Sequence, residues 1–227
     1  MNNYVTFSNV NFSRNEKSVL YHEYGPHGPS TVVTFEDCSW RQNEESNDSI
    51  SALSSMITVT AQTDASRVWS DDDAPHLVLS RNVFDGNDDF ADSMINAYFG
   101  IIEMTDSVWS NNTESMLKTR QSVVSVDNVT FSHNVGSFAA TRCLLCLLES
   151  SLVDVDATQF VQNEGILVES DRSSLVVTNS EVEAHNGSIG RFGIDLEEEI
   201  LFENCSVTAS DSALGDDSYS LFSIVGS

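Results

Sequence analysis

Hydrophobic positions along this chain follow a two-residue alternation that is interrupted at one fixed point and then resumes. In VTFSNVNFSRN, starting at Val5, Val5 and Phe7 alternate with polar residues, Val10 follows three residues later, and Val10 and Phe12 alternate again. Seven more segments superpose on it without gaps: VTFEDCSWRQN from Val33, LVLSRNVFDGN from Leu77, IEMTDSVWSNN from Ile102, VSVDNVTFSHN from Val124, VDVDATQFVQN from Val153, LVVTNSEVEAH from Leu175 and ILFENCSVTAS from Ile200. Period two predicts a strand in each half, with the apolar residues on one face. The step of three reverses the parity, so the chain must bend sharply there if both halves are to face one core. The bend residue should accept left-handed backbone angles, and Asn9, Asp37, Asp106, Asn128, Asn179 and Asn204 stand at it.

Two further positions in the repeat carry structural meaning. The eighth is Phe12, Trp40, Phe84, Trp109, Phe131, Phe160, Val182 and Val207, while the sixth is usually small, as in Ser107, Ser180 and Cys205. Large beside small, coil after coil, predicts a stacked core. The eleventh position holds Asn15, Asn43, Asn87, Asn112, Asn134 and Asn163, an asparagine ladder expected to satisfy backbone groups at a second turn. A third apolar run follows the ladder residue, as in Ile95 to Phe99, Leu144 to Leu148 and Gly165 to Val168. The starts are separated by 28, 44, 25, 22, 29, 22 and 25 residues. Because 44 is twice 22, a degenerate copy with its strand at Ile57-Thr58-Val59 is expected between Trp40 and Leu77. Three strands per coil at this period predict a single all-β domain over residues 1–227, a parallel β-helix of about nine coils of 22–29 residues.

These segments resemble the right-handed parallel β-helix repeat of the pectin-lyase-like superfamily in its divergent "v-x-i-x-n-x-x-F-x-x-N" form, over about residues 4 to 210. The resemblance implies the fold and leaves function open, because that superfamily includes polysaccharide lyases, glycoside hydrolases, epimerases, adhesins and catalytically silent members. Its enzymes work on an outward sheet face. Here the outward second and fourth positions supply Glu36, Glu103, Asp127, Asp154, Asp156 and Glu203. Asp127 and Asp156 share the fourth position in consecutive copies, which predicts one strand spacing between them, about 4.8 Å. Two carboxylates that close should either raise the pKa of one or enclose a cation. With Glu103 and Asp154 they form the candidate acid/base group of an inverting hydrolase, set against the plainer reading of a solvated acidic stripe. The polygalacturonase-like series N-T-D, D-D, G-H-G and R-I-K is absent from the sequence.

Other constellations are weaker. Asp85, Asn87, Asp88, Asp89 and Asp92 offer oxygen ligands for calcium, the one cofactor the sequence suggests, although their spacing is not that of an EF-hand and a loop of solvated acids is the simpler reading. His22 and His27 flank Glu23 but lack a third ligand placed by sequence. Cys143 and Cys146 form a C-x-x-C inside an apolar run. Strand geometry would put these thiols on opposite faces, so buried free thiols are expected.

Composition narrows the partners. The 35 Asp and Glu residues against 10 Lys and Arg give a formal charge of -25, which repels phosphate backbones and polyuronates. Its basic residues look scattered singly, and nucleic acid is excluded as a partner. No apolar run reaches the length of a membrane-spanning helix, and Met1 to Val5 shows no secretory leader. The repeat looks secreted and neither end looks capped, as in the apolar run Ser220 to Val225. The chain is therefore expected to be a piece of a longer extracellular or cell-surface protein. Its expected role is non-catalytic binding or adhesion toward a polysaccharide, a cation or a surface protein; the alternative is a carbohydrate-active enzyme.

Overall fold

The computed structural model describes residues 3–15, 18–24, 31–44, 55–61, 74–88, 90, 93–136, 143–194, 198–209 and 222–226. They form a parallel β-solenoid of three eight-stranded sheets. The first sheet holds the opening half of each repeat, as in Thr31–Glu36, Ile101–Thr105, Val123–Asp127 and Leu152–Asp156. The second holds the three-residue closing halves, such as Ser39–Arg41 and Val108–Ser110. The third holds the runs after the ladder, among them Ser55–Ala61, Ser93–Tyr98, Leu117–Arg120, Cys143–Leu148, Ile166–Asp171 and Gly190–Ile194.

The long interval is one coil, not two. Val33 pairs directly with Leu77 in the first sheet, so no coil lies between them. Ile57-Thr58-Val59, expected to open a hidden copy, belongs to the third sheet, where Ile57 pairs with Leu20 and with Ile95. Each sheet accordingly shows eight strands instead of nine.

Each corner uses the same two-residue device. At the first, all eight bend residues have positive φ, from 47° at Ala157 to 57° at Asn9, including Arg81 and Ala157, which the Asn/Asp pattern omits. In several coils a buried small or amide side chain follows, as with Asn82, Ser107, Thr158 and Ser180. Asn82 Oδ1 accepts from Cys38 N–H at 3.2 Å, and Ser107 Oγ accepts from Asn82 N–H at 3.1 Å. At the second corner the left-handed residue is the one before the ladder asparagine, as in Arg14, Gln42, Asn111, His133 and Gln162. The third corner has no counterpart in the sequence reading. Phe99, Gln121 and Arg172 are left-handed there, and the hydroxyls of Ser122, Ser151 and Ser173 accept from the N–H groups of Gly100, Ser122 and Ser151.

The asparagine ladder is continuous over six coils. Oδ1 of Asn112 accepts from the backbone N–H of Asn87 at 3.0 Å and from its Nδ2 at 2.9 Å. Nδ2 of Asn112 in turn donates to Phe84 O and to Asn134 Oδ1, both at 3.0 Å. The same pattern joins Asn15 to Asn43, Asn43 to Asn87 and Asn134 to Asn163. Beside it runs an aromatic column of Phe12, Trp40, Phe84, Trp109, Phe131 and Phe160, with centroid separations of 3.7–6.0 Å. Such contacts contribute about 0.5–1.5 kcal/mol each beyond their buried area.

His185 occupies the next ladder position and is buried. Its Nε2 lies 3.1 Å from Gly165 O and 3.2 Å from Ser188 O, and Nδ1 has no partner. Burial pushes its imidazole pKa down, so the unfolded chain takes up the proton first on acidification. Stability is full above the ordinary histidine pKa and falls as pH drops below it. His185→Asn is expected to reduce the loss of thermal stability between neutral and mildly acidic pH, as followed by circular dichroism.

Removing Asn112 would leave a buried N–H and a buried carbonyl unpartnered. Asn112→Ala is therefore expected to cost roughly 3–5 kcal/mol, against about 1 kcal/mol or less for the part-exposed terminal Asn15→Ala, as measured by urea denaturation and amide exchange at Asn87.

Candidate functional site

On the outer face of the first sheet, register sorts the exposed side chains into three rows. One begins apolar, with Ile101, Val123 and Leu152 in consecutive coils, of which Leu152 is 55% exposed. The middle row contains Glu103, Ser125 and Asp154, and the last contains Thr105, Asp127, Asp156 and Thr178. Asp127 and Asp156 are therefore direct cross-strand neighbours, as their shared position requires, about 4.8 Å apart along the axis. Asp154 lies two residues from Asp156 on the same face.

Glu103 is not drawn into that group. It stands a further coil from Asp154, with Ser125 between, and its Oε1 lies 3.1 Å from His76 Nε2. At the first coils an arginine neutralises the acids. Arg81 reaches Asp37 with Nε at 2.8 Å and Nη2 at 3.0 Å, and it pairs with Glu36 as well. Those hydrogen bonds hold the Asp37 carboxyl below its ordinary pKa. Among the described residues no ion pair reaches Asp127, Asp154 or Asp156, nor Glu203 beyond Thr178 in the last row, and Asp127, Asp154 and Asp156 are the three that adjoin one another.

The expected raised carboxyl is absent at Asp156, which shifts the other way. Thr178 Oγ1 donates to its Oδ1 at 2.7 Å and Asn179 Nδ2 donates at 2.8 Å, and these bonds lower its pKa by favouring the charged form. Among the described residues no group of three or more His, Cys, Asp or Glu side chains is placed to hold a metal ion.

Three of the calcium candidates, Asp85, Asn87 and Asp88, lie among the described residues. Asn87 is a buried ladder residue whose amide is consumed by Asn43, Trp40 and Asn112. Asp85 accepts from Ser110 Oγ and Asn111 Nδ2, both at 2.9 Å, and Asp88 accepts from Thr113 Oγ1. Asp89 and Asp92 lie outside the described residues, as does His27. His22 Nε2 is buried without a partner, and burial lowers the imidazole pKa.

The third sheet carries a feature that sequence reading missed. Lys118 and Arg120, and Arg191 far along the sequence from them, line one groove of about 500 Å³ with Glu169, Asp171 and both cysteines of the C-x-x-C. Lys118 pairs with Cys146, Cys146 with Glu169, and Glu169 with Arg191, in one outward row across successive coils. Arg191 Nη1 lies 3.5 Å from Glu169 Oε1, while Arg120 Nε lies 3.3 Å from Glu149 Oε2 and its guanidinium sits 5.3 Å from the Tyr98 ring centroid. Three of the 10 Lys and Arg residues are thus gathered, where all were expected to be scattered. Cys143 and Cys146 form a disulfide, contrary to the free thiols expected. Their Cα atoms are 5.4 Å apart, whereas three extended residues would span about 10 Å, so the chain bends at Cys143 and both sulfurs reach one side. Cys38 and Cys205 are free.

No family model and no curated protein matches the chain. Among solved structures it is similar to a trypsin-treated variant of QnrB1, a plasmid-mediated fluoroquinolone resistance protein, at 13% identity over 100% of this chain and 92% of that one, with a TM-score of 0.17. Among the described residues no helix is long and apolar enough to cross a membrane.

Replacing Thr178 by Val removes the largest cause of the Asp156 shift. Thr178→Val is expected to move the Asp156 pKa upward, toward the ordinary aspartate value, in a carboxyl-detected NMR titration; an unmoved titration would show that the hydroxyl does not hold the charge.

Proposed function

We propose that this chain is a non-catalytic recognition module of an extracellular or cell-surface protein, and that the outer face of its first sheet binds an extended basic partner. The observation that supports this most is the uncompensated trio Asp127, Asp154 and Asp156 beside an apolar row in which Ile101 is half-buried and Val123 and Leu152 are exposed. A basic segment with interspersed apolar side chains would match both rows, and strands repeat at the fixed spacing that such a segment needs. Asp156, held ionised by Thr178 and Asn179, fits a fixed anion better than a proton donor, which weighs against a hydrolase using Glu103, Asp127, Asp154 and Asp156. The disulfide is in keeping with an oxidising compartment. The reading takes the winding as right-handed, the hand that parallel crossovers adopt, and keeps the pectin-lyase-like resemblance as its evolutionary frame.

The test uses an oligolysine of about ten residues, whose extended length of about 33 Å matches seven strand spacings. Binding measured by calorimetry should weaken about tenfold or more in the double variant Asp127→Asn, Asp156→Asn and should fall with added salt. Equal affinity for both proteins would remove this face as the binding surface. A parallel screen of neutral and acidic polysaccharides should yield no products; cleavage abolished by either substitution would establish the enzyme instead.

A further inference from the structure

We propose that the Cys143–Cys146 disulfide is a thiol-exchange site opening onto the third-sheet groove, taking small thiols that carry carboxylate groups. This site is independent of the first-sheet face. A bridge with a sequence separation of three closes a very short loop, and the entropy it removes from the unfolded chain is correspondingly small. The strand Cys143–Leu148 is already paired on both sides, to Leu117–Arg120 and to Ile166–Asp171. A structural staple is least needed there.

The surroundings favour exchange. Cys143, Cys146 and Ile166 form a small apolar cluster apart from the main core, and both cysteines line the groove. They are only 1% and 3% exposed, so a thiolate reaches them by way of the groove that both line. Around Cys146 Sγ stand the Cys143 N–H at 3.1 Å and the Ser115 hydroxyl at 3.5 Å. The Cys143 carbonyl, also 3.1 Å away, can accept from the thiol form. Lys118 occupies the paired position in the neighbouring strand. Two donors and a cation favour Cys146 as thiolate, and exchange is faster when the leaving thiol has a lowered pKa. Lys118, Arg120 and Arg191 on the groove walls would attract a carboxylate-bearing thiol, within the limits set by their own acidic neighbours.

The chemistry balances with two thiols. One thiolate attacks Cys143 Sγ, the bond to Cys146 breaks, and Cys146 departs as thiolate, leaving a mixed disulfide on Cys143. A second thiolate attacks the small molecule's sulfur in that mixed disulfide and releases Cys143. The small disulfide carries away the oxidation, while Cys143 and Cys146 take up the two protons and two electrons. Excess small disulfide runs the sequence backward.

Reduced glutathione is the probe, with alkylation and mass spectrometry reporting the dithiol fraction of the folded protein. The bridge should open while circular dichroism stays native, and faster than with uncharged 2-mercaptoethanol at equal thiolate concentration. Lys118→Gln should slow opening about threefold or more, with Lys118→Arg restoring it. Oxidised glutathione should leave a mixed disulfide on Cys143 in Cys146→Ser. Opening only under denaturing conditions, or failure of that adduct to form on folded protein, would overturn the proposal. Equal rates for the two thiols, or for Lys118→Gln and the parent, would overturn the role given to the groove cations.

Discussion

Every corner of this solenoid must turn the chain while burying a backbone N–H that has no partner within its own coil. The rest of the structure depends on how that group is satisfied. A buried donor left without an acceptor costs about 1–3 kcal/mol, and each coil has three corners. One answer recurs at all three: a left-handed residue makes the turn, and where the following residue of the next coil is an asparagine or serine its side chain accepts the hydrogen bond, which Val129 after Asn128 cannot do. Asparagine does this at the second corner, serine at the third, and a mixture of Asn82, Ser107 and Ser180 at the first. Because acceptor and donor belong to different coils, correct turning and correct stacking become one event.

This constraint explains what the sequence disclosed. The first two corners are legible because their residues follow at fixed offsets from apolar pairs, and the ladder and aromatic column are consequences of that register. The third corner is legible only by counting backward: Phe99, Gln121 and Arg172 each stand three residues before the next repeat start, and Ser122 and Ser173 follow one residue later. Counted forward it is hidden, because segments of unequal length separate the ladder residue from the next repeat. The same inequality makes an insertion look like a missing coil, since spacing alone cannot tell 44 residues of one turn from two turns of 22. Only the pairing of Val33 with Leu77 decides it.

The site is partly legible for a related reason. Asp127 and Asp156 occupy one repeat position, so their proximity follows from counting, and the strand register agrees. What counting misses is side-chain hydrogen bonding across coils, through which Thr178 and Asn179 stabilise the Asp156 carboxylate. Lys118, Glu169 and Arg191 each stand about sixteen residues after their repeat starts Ile102, Val153 and Leu175, so their common row could be counted, but Cys146 falls outside that count and only the pairing of third-sheet strands puts it between them. The disulfide escapes sequence reading because a straight strand puts residues three apart on opposite faces, whereas this chain bends at its first cysteine.

The asparagine column also gives the molecule a direction. From Asn15 to Asn163 each Oδ1 accepts from the coil before it and each Nδ2 donates to the coil after it, so the amide dipoles run head to tail and polarise one another. The two ends of the column are therefore electrically unlike, as the poles of a magnet are. A coil stacked ahead of Asn15 would have to bring donors, whereas beyond Asn163 the coil of His185 closes the column, and a stack assembled in reverse order would meet like with like.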